Sequence, residues 1–149
     1  MKIKKLISFI NIFLFCILLS TVNSFAHEGA KGIIKERMDK FKESKQLMKK
    51  INIGLQNNNF KVIEESAQML LLWSKEMHKF FPKGSDVSPS EASSDIWLNP
   101  EGFSKAIKNF EIASLKLINQ SNTSDRDKTI NAFRNLAGTC KGCHQKFRN

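Results

Sequence analysis

The sequence predicts an all-α fold, an antiparallel four-helix bundle, from three observations. Residues that favour helices are abundant, notably Lys, Glu, Ala, Leu and Met, and long stretches contain neither Gly nor Pro. Apolar residues recur at steps of three, four or seven in four separate segments, which is the spacing of an amphipathic helix. Short turns separate most of these segments, so consecutive helices are expected to run antiparallel.

Length and composition are those of one folded domain. The chain has 149 residues, of which 41% are hydrophobic and 26% charged, a balance that excludes a disordered protein. Three cysteines are too few for a disulfide-stabilised scaffold. The formal net charge of +10 is an excess of cations that either attracts an acidic partner or serves only solubility.

The first 26 residues are typical of a secretory signal peptide. A positively charged start precedes an apolar run from Leu6 to Val22, and Ser24-Phe-Ala26 approximates a small-x-small cleavage site. The apolar run is nearly long enough for an uncleaved membrane anchor, but the cleavage site that follows it favours a signal. We therefore expect a mature domain of residues 27–149 located in the periplasm.

The first two predicted helices are separated by a glycine and an asparagine-rich turn. The first helix runs from about Gly29 to Asn52 and is ended by Gly54 and by Asn57-Asn-Asn59. Its apolar stripe consists of Ile34, Met38, Phe41, Met48 and Ile51. The second helix runs from Asn59 to about Phe81, where Pro82 and Gly84 stop it. Its buried side is expected to contain Phe60, Ile63, Ala67, Leu70, Met77 and either Phe80 or Phe81.

A polar stretch from Ser85 to Asp95 predicts a long crossover loop before the third helix. Asn99 is expected to cap that helix and Pro100 to open it. The inner face of the third helix is expected to contain Phe103, Ile107, Phe110, Ser114 and Leu117. Ser124 with Asp127 resembles a capping box at the start of the fourth helix, which runs to the C-terminus.

The fourth helix contains the side chains that can react or bind a metal, in the segment Cys140-Lys-Gly-Cys143-His144. C-x-x-C-H is the attachment pattern of c-type haem. Two thiols one helical turn apart each form a thioether to a haem vinyl group, and the adjacent histidine is thereby placed to coordinate the iron. We therefore predict one haem c, bound covalently through Cys140 and Cys143, with His144 as the metal ligand.

The register of the fourth helix favours this interpretation. Its apolar stripe consists of Ile130, Phe133, Ala137, Cys140, His144 and Phe147. One attachment cysteine and the histidine therefore share the face that is expected to point into the core, and the haem is expected inside the bundle.

Three other interpretations of the two cysteines are weaker. A redox-active pair of the thioredoxin type is expected after a strand, and none is apparent. A disulfide between two cysteines this close on one helix has poor geometry. A structural zinc site needs four ligands, and the mature chain offers only His27 and His78 besides the motif.

With this motif at its C-terminal end, the mature chain resembles the class II c-type cytochromes, the cytochrome c′ family. Further matching segments are residues 32–39 (Gly-Ile-Ile-Lys-Glu-Arg-Met-Asp), residues 81–86 after the second helix, and Ile96-Trp97 before the third. The resemblance implies a four-helix bundle with a covalent haem, in agreement with the helix prediction. It also implies a homodimer formed through the first two helices.

The resemblance further implies how the iron is coordinated. The sixth-ligand position of the family lies four residues after an arginine on the first helix, which is Phe41 after Arg37 here. Relatives with a low-spin iron have Met at that position, whereas Phe cannot coordinate. A five-coordinate, high-spin iron that small gases such as NO or CO reach past Phe41 is therefore expected. Met38, one turn earlier, is the alternative axial ligand because a thioether can bind haem iron, and His78 is a weaker alternative.

Three further side chains are candidates for contact with the haem. The resemblance implies that Arg37 approaches a haem propionate, whose carboxylate suits an arginine fork, and that Trp97 lies near the propionates. A solvated Arg37 and a core-anchoring Trp97 are the alternatives. Arg148 lies one turn past His144. A position near the haem edge and a solvated charge are both open for it.

These features favour two functions. The first is an electron carrier that cycles between Fe(III) and Fe(II), and the second is a protein that sequesters or senses NO or CO. Enzymatic activity is not expected, because no distal acid–base pair is evident. The cations of the first helix and the C-terminus favour a small acidic redox partner. Export and the lack of an interleaved aromatic and basic face disfavour nucleic acid.

Overall fold

The computed structural model describes residues 29–149, and every regular element in this range is a helix. In chain order these are α1 (Gly32–Gln56), α2 (Phe60–Glu76), a 3₁₀ turn (Met77–Phe80), α3 (Asp95–Leu98), α4 (Pro100–Ser121) and α5 (Arg126–Phe147). Among the described helices none combines the length and apolar character needed to cross a membrane. The predicted signal peptide, residues 1–26, lies outside the described residues.

The four long helices form the predicted antiparallel bundle. Helix α1 packs on α2, α2 on α4 and α4 on α5, whereas α1 and α5 meet over a shorter stretch. Side chains with almost no exposed surface fill the centre, among them Ile51, Ile63, Leu70, Leu117 and Leu136. Burying each such side chain stabilises the fold by about 1.5–3 kcal/mol, so this core is its main source of stability. The predicted all-α class is confirmed.

Burial of the predicted apolar stripes differs between helices. All five residues predicted for the inner face of α4 are buried. On α1 the stripe is only partly covered: Ile34 and Ile51 are buried, whereas Met38, Phe41 and Met48 are half-buried. The core instead takes two leucines of α1 that the stripe omitted, Leu47 and Leu55. Of the half-buried members, Phe41 contacts His144 of α5, a helix that α1 meets only over a short stretch.

Two of the predicted helix starts can be compared with the structure. Asn99 caps α4 as predicted, since its Oδ1 accepts a hydrogen bond from the Gly102 backbone N–H at 2.9 Å. The predicted Ser124 cap of α5 was wrong, because Asp125 caps the helix by accepting from the Lys128 N–H at 3.0 Å. Ser124 has a φ of 54° and closes the preceding turn, which moves the cap one residue along the chain.

The predicted end of α1 is confirmed at the asparagine run but not at Gly54, because the helix continues to Gln56 and Asn57 is its C-cap. A Cβ atom at Gly54 would lie 2.8 Å from Ile63 Cγ1 and 3.2 Å from the Asn59 carbonyl oxygen. The glycine therefore allows α1 and α2 to approach each other closely where the chain turns back.

Three buried serines satisfy their hydroxyl groups within their own helices. Ser74 Oγ donates to the Leu71 carbonyl at 2.6 Å, Ser114 Oγ to that of Phe110 at 2.8 Å, and Ser121 Oγ to that of Ile118 at 2.8 Å. Each side chain is no more than 1% exposed. Their hydroxyl groups therefore need no hydrogen-bond partner on the neighbouring helix.

The substitution Gly54→Ala tests the close approach of α1 and α2. We expect it to lower the free energy of unfolding by about 1–3 kcal/mol, because the new methyl group overlaps Ile63 Cγ1. The measurement is urea unfolding of the haem-loaded protein followed by circular dichroism. Gly138→Ala is the matched control, since a Cβ there has no neighbour within 4 Å and the change favours the helix. Equal stability of the two variants would contradict the packing argument.

Candidate haem site

The last turns of α5 bring the two cysteines of the motif to one side of the helix. Cys140 and Cys143 are half-buried and pack against the core beside Phe133. The fully buried residues of α5 are instead Thr129, Ala132, Leu136 and Phe147. The predicted stripe therefore faces the core only in part: Phe147 is buried, whereas Ile130, Phe133 and Cys140 are half-buried and pack against the core. His144 is exposed and contacts Phe41 of α1.

The two thiols are in an environment that keeps them protonated. Burial raises the pKa of Cys140, and burial together with the neighbouring Cys140 raises the pKa of Cys143 to about 11. A redox-active pair of the thioredoxin type has the opposite property, a thiol of lowered pKa. The two cysteines form no disulfide. Within residues 29–149, His, Cys, Asp and Glu side chains do not gather in a group of three that would hold zinc.

His144 faces Phe41 of α1 across the bundle. The centres of the two rings lie 6.2 Å apart at an interplanar angle of 72°, an edge-to-face contact. Burial and the charge of Arg148 lower the pKa of His144, while Glu91 opposes this effect. The lowered pKa favours the neutral imidazole, which is the form that binds a metal.

Helices α1 and α5 meet over a short stretch, where Phe41 contacts His144. Several half-buried apolar side chains of these two helices pack against the core, and we call this set the α1–α5 seam: Phe41, Met48, Ile130, Phe133, Cys140 and Cys143. Phe41 makes edge-to-face contacts with Trp73 at 5.6 Å and with Phe81 at 6.3 Å. An apolar lining that carries two thiols, with an imidazole next to them, has the donor set for a covalently held porphyrin. The residues present therefore fit a haem.

Arg37 is buried in α1 and holds the start of the crossover loop. Its Nη1 donates to the Phe80 carbonyl and to Ser85 Oγ, both at 2.9 Å. Its Nη2 donates to the Ser85 carbonyl and to Ser90 Oγ, both at 2.7 Å. The alternative of a solvated Arg37 was therefore wrong, since the residue is only 3% exposed.

The surroundings of Arg37 limit what else it can bind. Its guanidinium carbon lies 4.5 Å from the centre of the Phe81 ring, a cation–π contact. Burial lowers the pKa of Arg37, and the Asp86 carboxylate opposes that shift. The four hydrogen bonds to the loop use both terminal nitrogens, so only the Nε–H is left for another acceptor. Contact with a haem propionate stays a prediction.

Arg148 and its neighbours tie the C-terminus to the far end of the crossover loop. The Arg148 guanidinium forms an ion pair with Glu91, with Nε 2.7 Å from the carboxylate. The Ser93 N–H donates to the Phe147 carbonyl at 3.1 Å, and the Asn149 N–H donates to that of Glu91 at 2.9 Å. Arg148 therefore lies close enough to His144 to influence its pKa, while its position at the haem edge stays a prediction.

The two tryptophans differ in how their indole nitrogens are satisfied. Trp97 Nε1 donates to the Phe81 carbonyl at 3.1 Å, and its half-buried ring packs against the core. Its location near the propionates stays a prediction. Trp73 Nε1, buried beside Phe41, has no hydrogen-bond partner among the described residues. A donor beside the seam is thus left for a polar group of the haem.

The structure adds loop residues that the sequence did not single out. Ser85, Ser90 and Glu91 lie in a segment without periodicity, so nothing in their spacing marked them as partners of the two arginines. The burial of Arg37, in contrast, was indicated by its spacing in the sequence. It follows Ile34 by three residues and precedes Phe41 by four, so it occupies an apolar position of the helix.

Together, the fold and the seam define a class of protein: a helical bundle that binds a covalent haem on its last helix. The family model for cytochrome c′ matches residues 32–148, and the chain belongs to this family. It therefore binds haem c through the cysteines near its C-terminus, Cys140 and Cys143.

Sequence and structural relatives agree with this assignment. The chain is 35% identical to cytochrome c′ from Rhodospirillum rubrum over 69 residues, which are 46% of this chain and 47% of that protein. The chain thus spans about half the length of this curated relative. The crystal structure of cytochrome c′ from Rubrivivax gelatinosus matches at a TM-score of 0.70 and 27% identity, over 78% of this chain and 94% of that one. Cytochrome c′ from Shewanella frigidimarina matches over the same shares at 0.72 and 25%.

Two more distant structures share the fold. One is the nitric oxide complex of a variant of cytochrome c′ from Alcaligenes xylosoxidans, at a TM-score of 0.70 and 20% identity. The other is a cytochrome c′ with ligand-controlled dimer dissociation, at 0.72 and 23%.

Substitution of Arg37 tests its role in holding the loop. We expect Arg37→Ala to lower the free energy of unfolding by about 2–4 kcal/mol, because it leaves the loop acceptors without their charged donor. Arg37→Lys should lose less, since one ammonium group keeps the charge but cannot reach all four acceptors. Urea unfolding of the haem-loaded variants measures both losses. The exposed Arg134→Ala is the control and should stay within about 0.5 kcal/mol of the parent. If Arg37→Ala behaves like this control, the loop does not depend on Arg37.

Proposed function

We propose that this chain is a periplasmic, monohaem electron carrier whose iron has His144 as its only protein ligand. The observation that carries the proposal is the contact between His144 and Phe41 across the α1–α5 seam. The side chain that faces the histidine has no atom able to bind iron, so the iron is five-coordinate and high-spin. When bound, the haem supplies an iron that gains or loses one electron.

Each motif residue has a separate task in this proposal. Cys140 and Cys143 tether the group to α5, so it is not lost between electron transfers. His144 binds the metal with a neutral imidazole, the form that its lowered pKa favours. Phe41 shields the opposite side, held by its contacts with Trp73 and Phe81.

Met38 is the competing axial ligand. It lies on α1 about one turn before Phe41 and is half-buried. Phe41, and not Met38, occupies the aromatic cluster that reaches His144, which supports Phe41 as the distal residue.

Binding of NO or CO is the second candidate function. The same observation favours it, because a distal side chain that cannot coordinate leaves one position on the iron for a small ligand. The nitric oxide complex of the Alcaligenes xylosoxidans variant supports this idea through the shared fold. A non-enzymatic role is part of the proposal, since the side chains packed on Phe41 are aromatic and offer no carboxylate for acid–base chemistry.

Absorption spectra of the ferrous protein with and without CO test the coordination. We expect a high-spin spectrum that changes on addition of CO, because Phe41 leaves one position of the iron open. Met38→Ala should leave the CO-free spectrum unchanged. Phe41→Ala should speed CO association measured by flash photolysis, because it removes the shielding ring.

The matched variant Phe41→Met separates the two possible ligands. It should convert the ferrous spectrum to a low-spin form that CO changes slowly, because a thioether binds haem iron. A wild-type ferrous spectrum that is low-spin, and that becomes high-spin in Met38→Ala, would show that Met38 is the ligand.

A homodimer through α1 and α2 is also part of the proposal. Met69 and Leu72 on α2 are 47% and 54% exposed, large apolar side chains of the kind that interfaces cover. The fold relative with ligand-controlled dimer dissociation supports a dimer in this fold.

Sedimentation velocity of the haem-loaded protein tests the dimer. The double variant Met69→Glu/Leu72→Glu should sediment as a monomer, because the charges prevent burial of that surface. Ile112→Glu/Leu115→Glu on α4, at similarly exposed positions, is the matched control and should remain dimeric. A wild-type protein that sediments as a monomer at micromolar concentration would contradict the proposal.

A further inference from the structure

The excess of cations in this protein is concentrated on the two helices that form the seam. Helices α1 and α5 together contain twelve Lys or Arg and four acidic residues, and residues 44–56 with 128–149 contain eight Lys or Arg and no acidic residue. Residues 60–80 and 100–121, which include α2 and α4, contain six cations and five acids, so their charges nearly balance. The excess of cations is therefore found on the two seam helices and is not spread evenly over the surface, as lysines that served only solubility would be.

Four of these cations flank the seam by their position on the helices. Lys45 follows Phe41 by four residues and Lys49 follows Lys45 by four, so both lie along the α1 side. On α5, Arg134 follows Ile130 by four residues and Lys141 follows Ala137 by four, so both lie along the α5 side. The contact of Phe41 with His144 fixes the antiparallel register, which places Lys45 beside the turn that contains Cys140 and Lys141.

These four side chains are exposed and form no ion pair in the described part of the chain. Other cations nearby are already neutralised: Lys35 pairs with Asp39, Lys40 with Glu43, and Arg148 with Glu91. The positive charge beside the tethering cysteines is therefore available to an approaching molecule.

We propose that Lys45, Lys49, Arg134 and Lys141, the basic rim of the seam, are the docking surface for an acidic electron-transfer protein. The inference rests on the proposed electron-carrier function. Carboxylates on the partner complement the rim, so the attraction orients the encounter with the haem side of the bundle toward the partner and raises the association rate. Electron transfer falls steeply with distance, which makes this orientation the productive one.

Stopped-flow oxidation of the ferrous, haem-loaded protein tests the surface, with the acidic copper protein plastocyanin as the probe. The triple variant Lys45→Gln/Lys49→Gln/Arg134→Gln removes three rim charges and spares the attachment motif. We expect its second-order rate at low ionic strength to fall about tenfold, and the difference from wild type to vanish at high salt. The spectra of both redox states should remain those of the wild type.

The matched control is Lys75→Gln/Lys105→Gln/Lys116→Gln, which removes the same net charge from exposed positions of α2 and α4. Its plastocyanin rate should stay within about twofold of wild type, because those charges lie outside the seam. With a cationic cobalt(III) phenanthroline complex as oxidant, the rim variant should react faster than the control.

The outcomes separate this inference from the proposed function. Equal plastocyanin rates for the two triple variants would overturn the docking surface, even where the haem cycles reversibly at an electrode. The protein could instead associate with phosphatidylglycerol vesicles while the rim variant and the wild type react with plastocyanin at the same rate. That result would overturn the docking surface in favour of a lipid surface. A haem that fails to cycle at the electrode would overturn the electron-carrier function itself.

Discussion

Two neighbouring faces of helix α5 have different roles, one in the core and one in the haem site, and the rest of the site depends on this constraint. One face, with Thr129, Ala132 and Leu136, is buried against the bundle and fixes the rotation of the helix. The adjoining face then carries Phe133, Cys140 and His144 toward α1. Because successive positions on a helix are separated by a fixed angle, the packing of the first face determines where the thiols and the imidazole point. The packing of the core thereby sets the positions of the residues that bind the haem.

The sequence predicted most of the fold because the information needed is local. The inner face of α4 and the Asn99 cap follow from periodicity and from one residue's capping chemistry, and both were confirmed. The attachment motif was equally easy to recognise in the sequence, since its five residues lie within two helical turns. The error on the stripe of α5 has a different origin. Periodicity finds the apolar side of a helix but does not tell a fully buried face from an adjacent half-buried one.

The contacts of the crossover loop were not predictable for a related reason. Arg37 and Ser85 are far apart in the chain, and Glu91 and Arg148 still further, so only the folded structure brings them together. The loop is held at its start by Arg37 and at its end by the C-terminal residues. Phe81, which leads into this loop, contacts both Arg37 and Phe41. The loop is therefore a structural support for the aromatic residues around the seam, and polar contacts of long sequence separation provide that support.

The buried serines have a consequence for how this bundle tolerates change over evolutionary time. Ser74, Ser114 and Ser121 each donate a hydrogen bond to a carbonyl of their own helix. Exchanging one for alanine or another small residue therefore breaks no hydrogen bond to the helix opposite. At these three positions the helices are thus matched by shape and not by polar pairs, and each position can change independently of the helix opposite. A lineage built in this way can replace about three quarters of its residues while the backbone stays recognisable, as the match to the Rubrivivax gelatinosus protein at 27% identity illustrates.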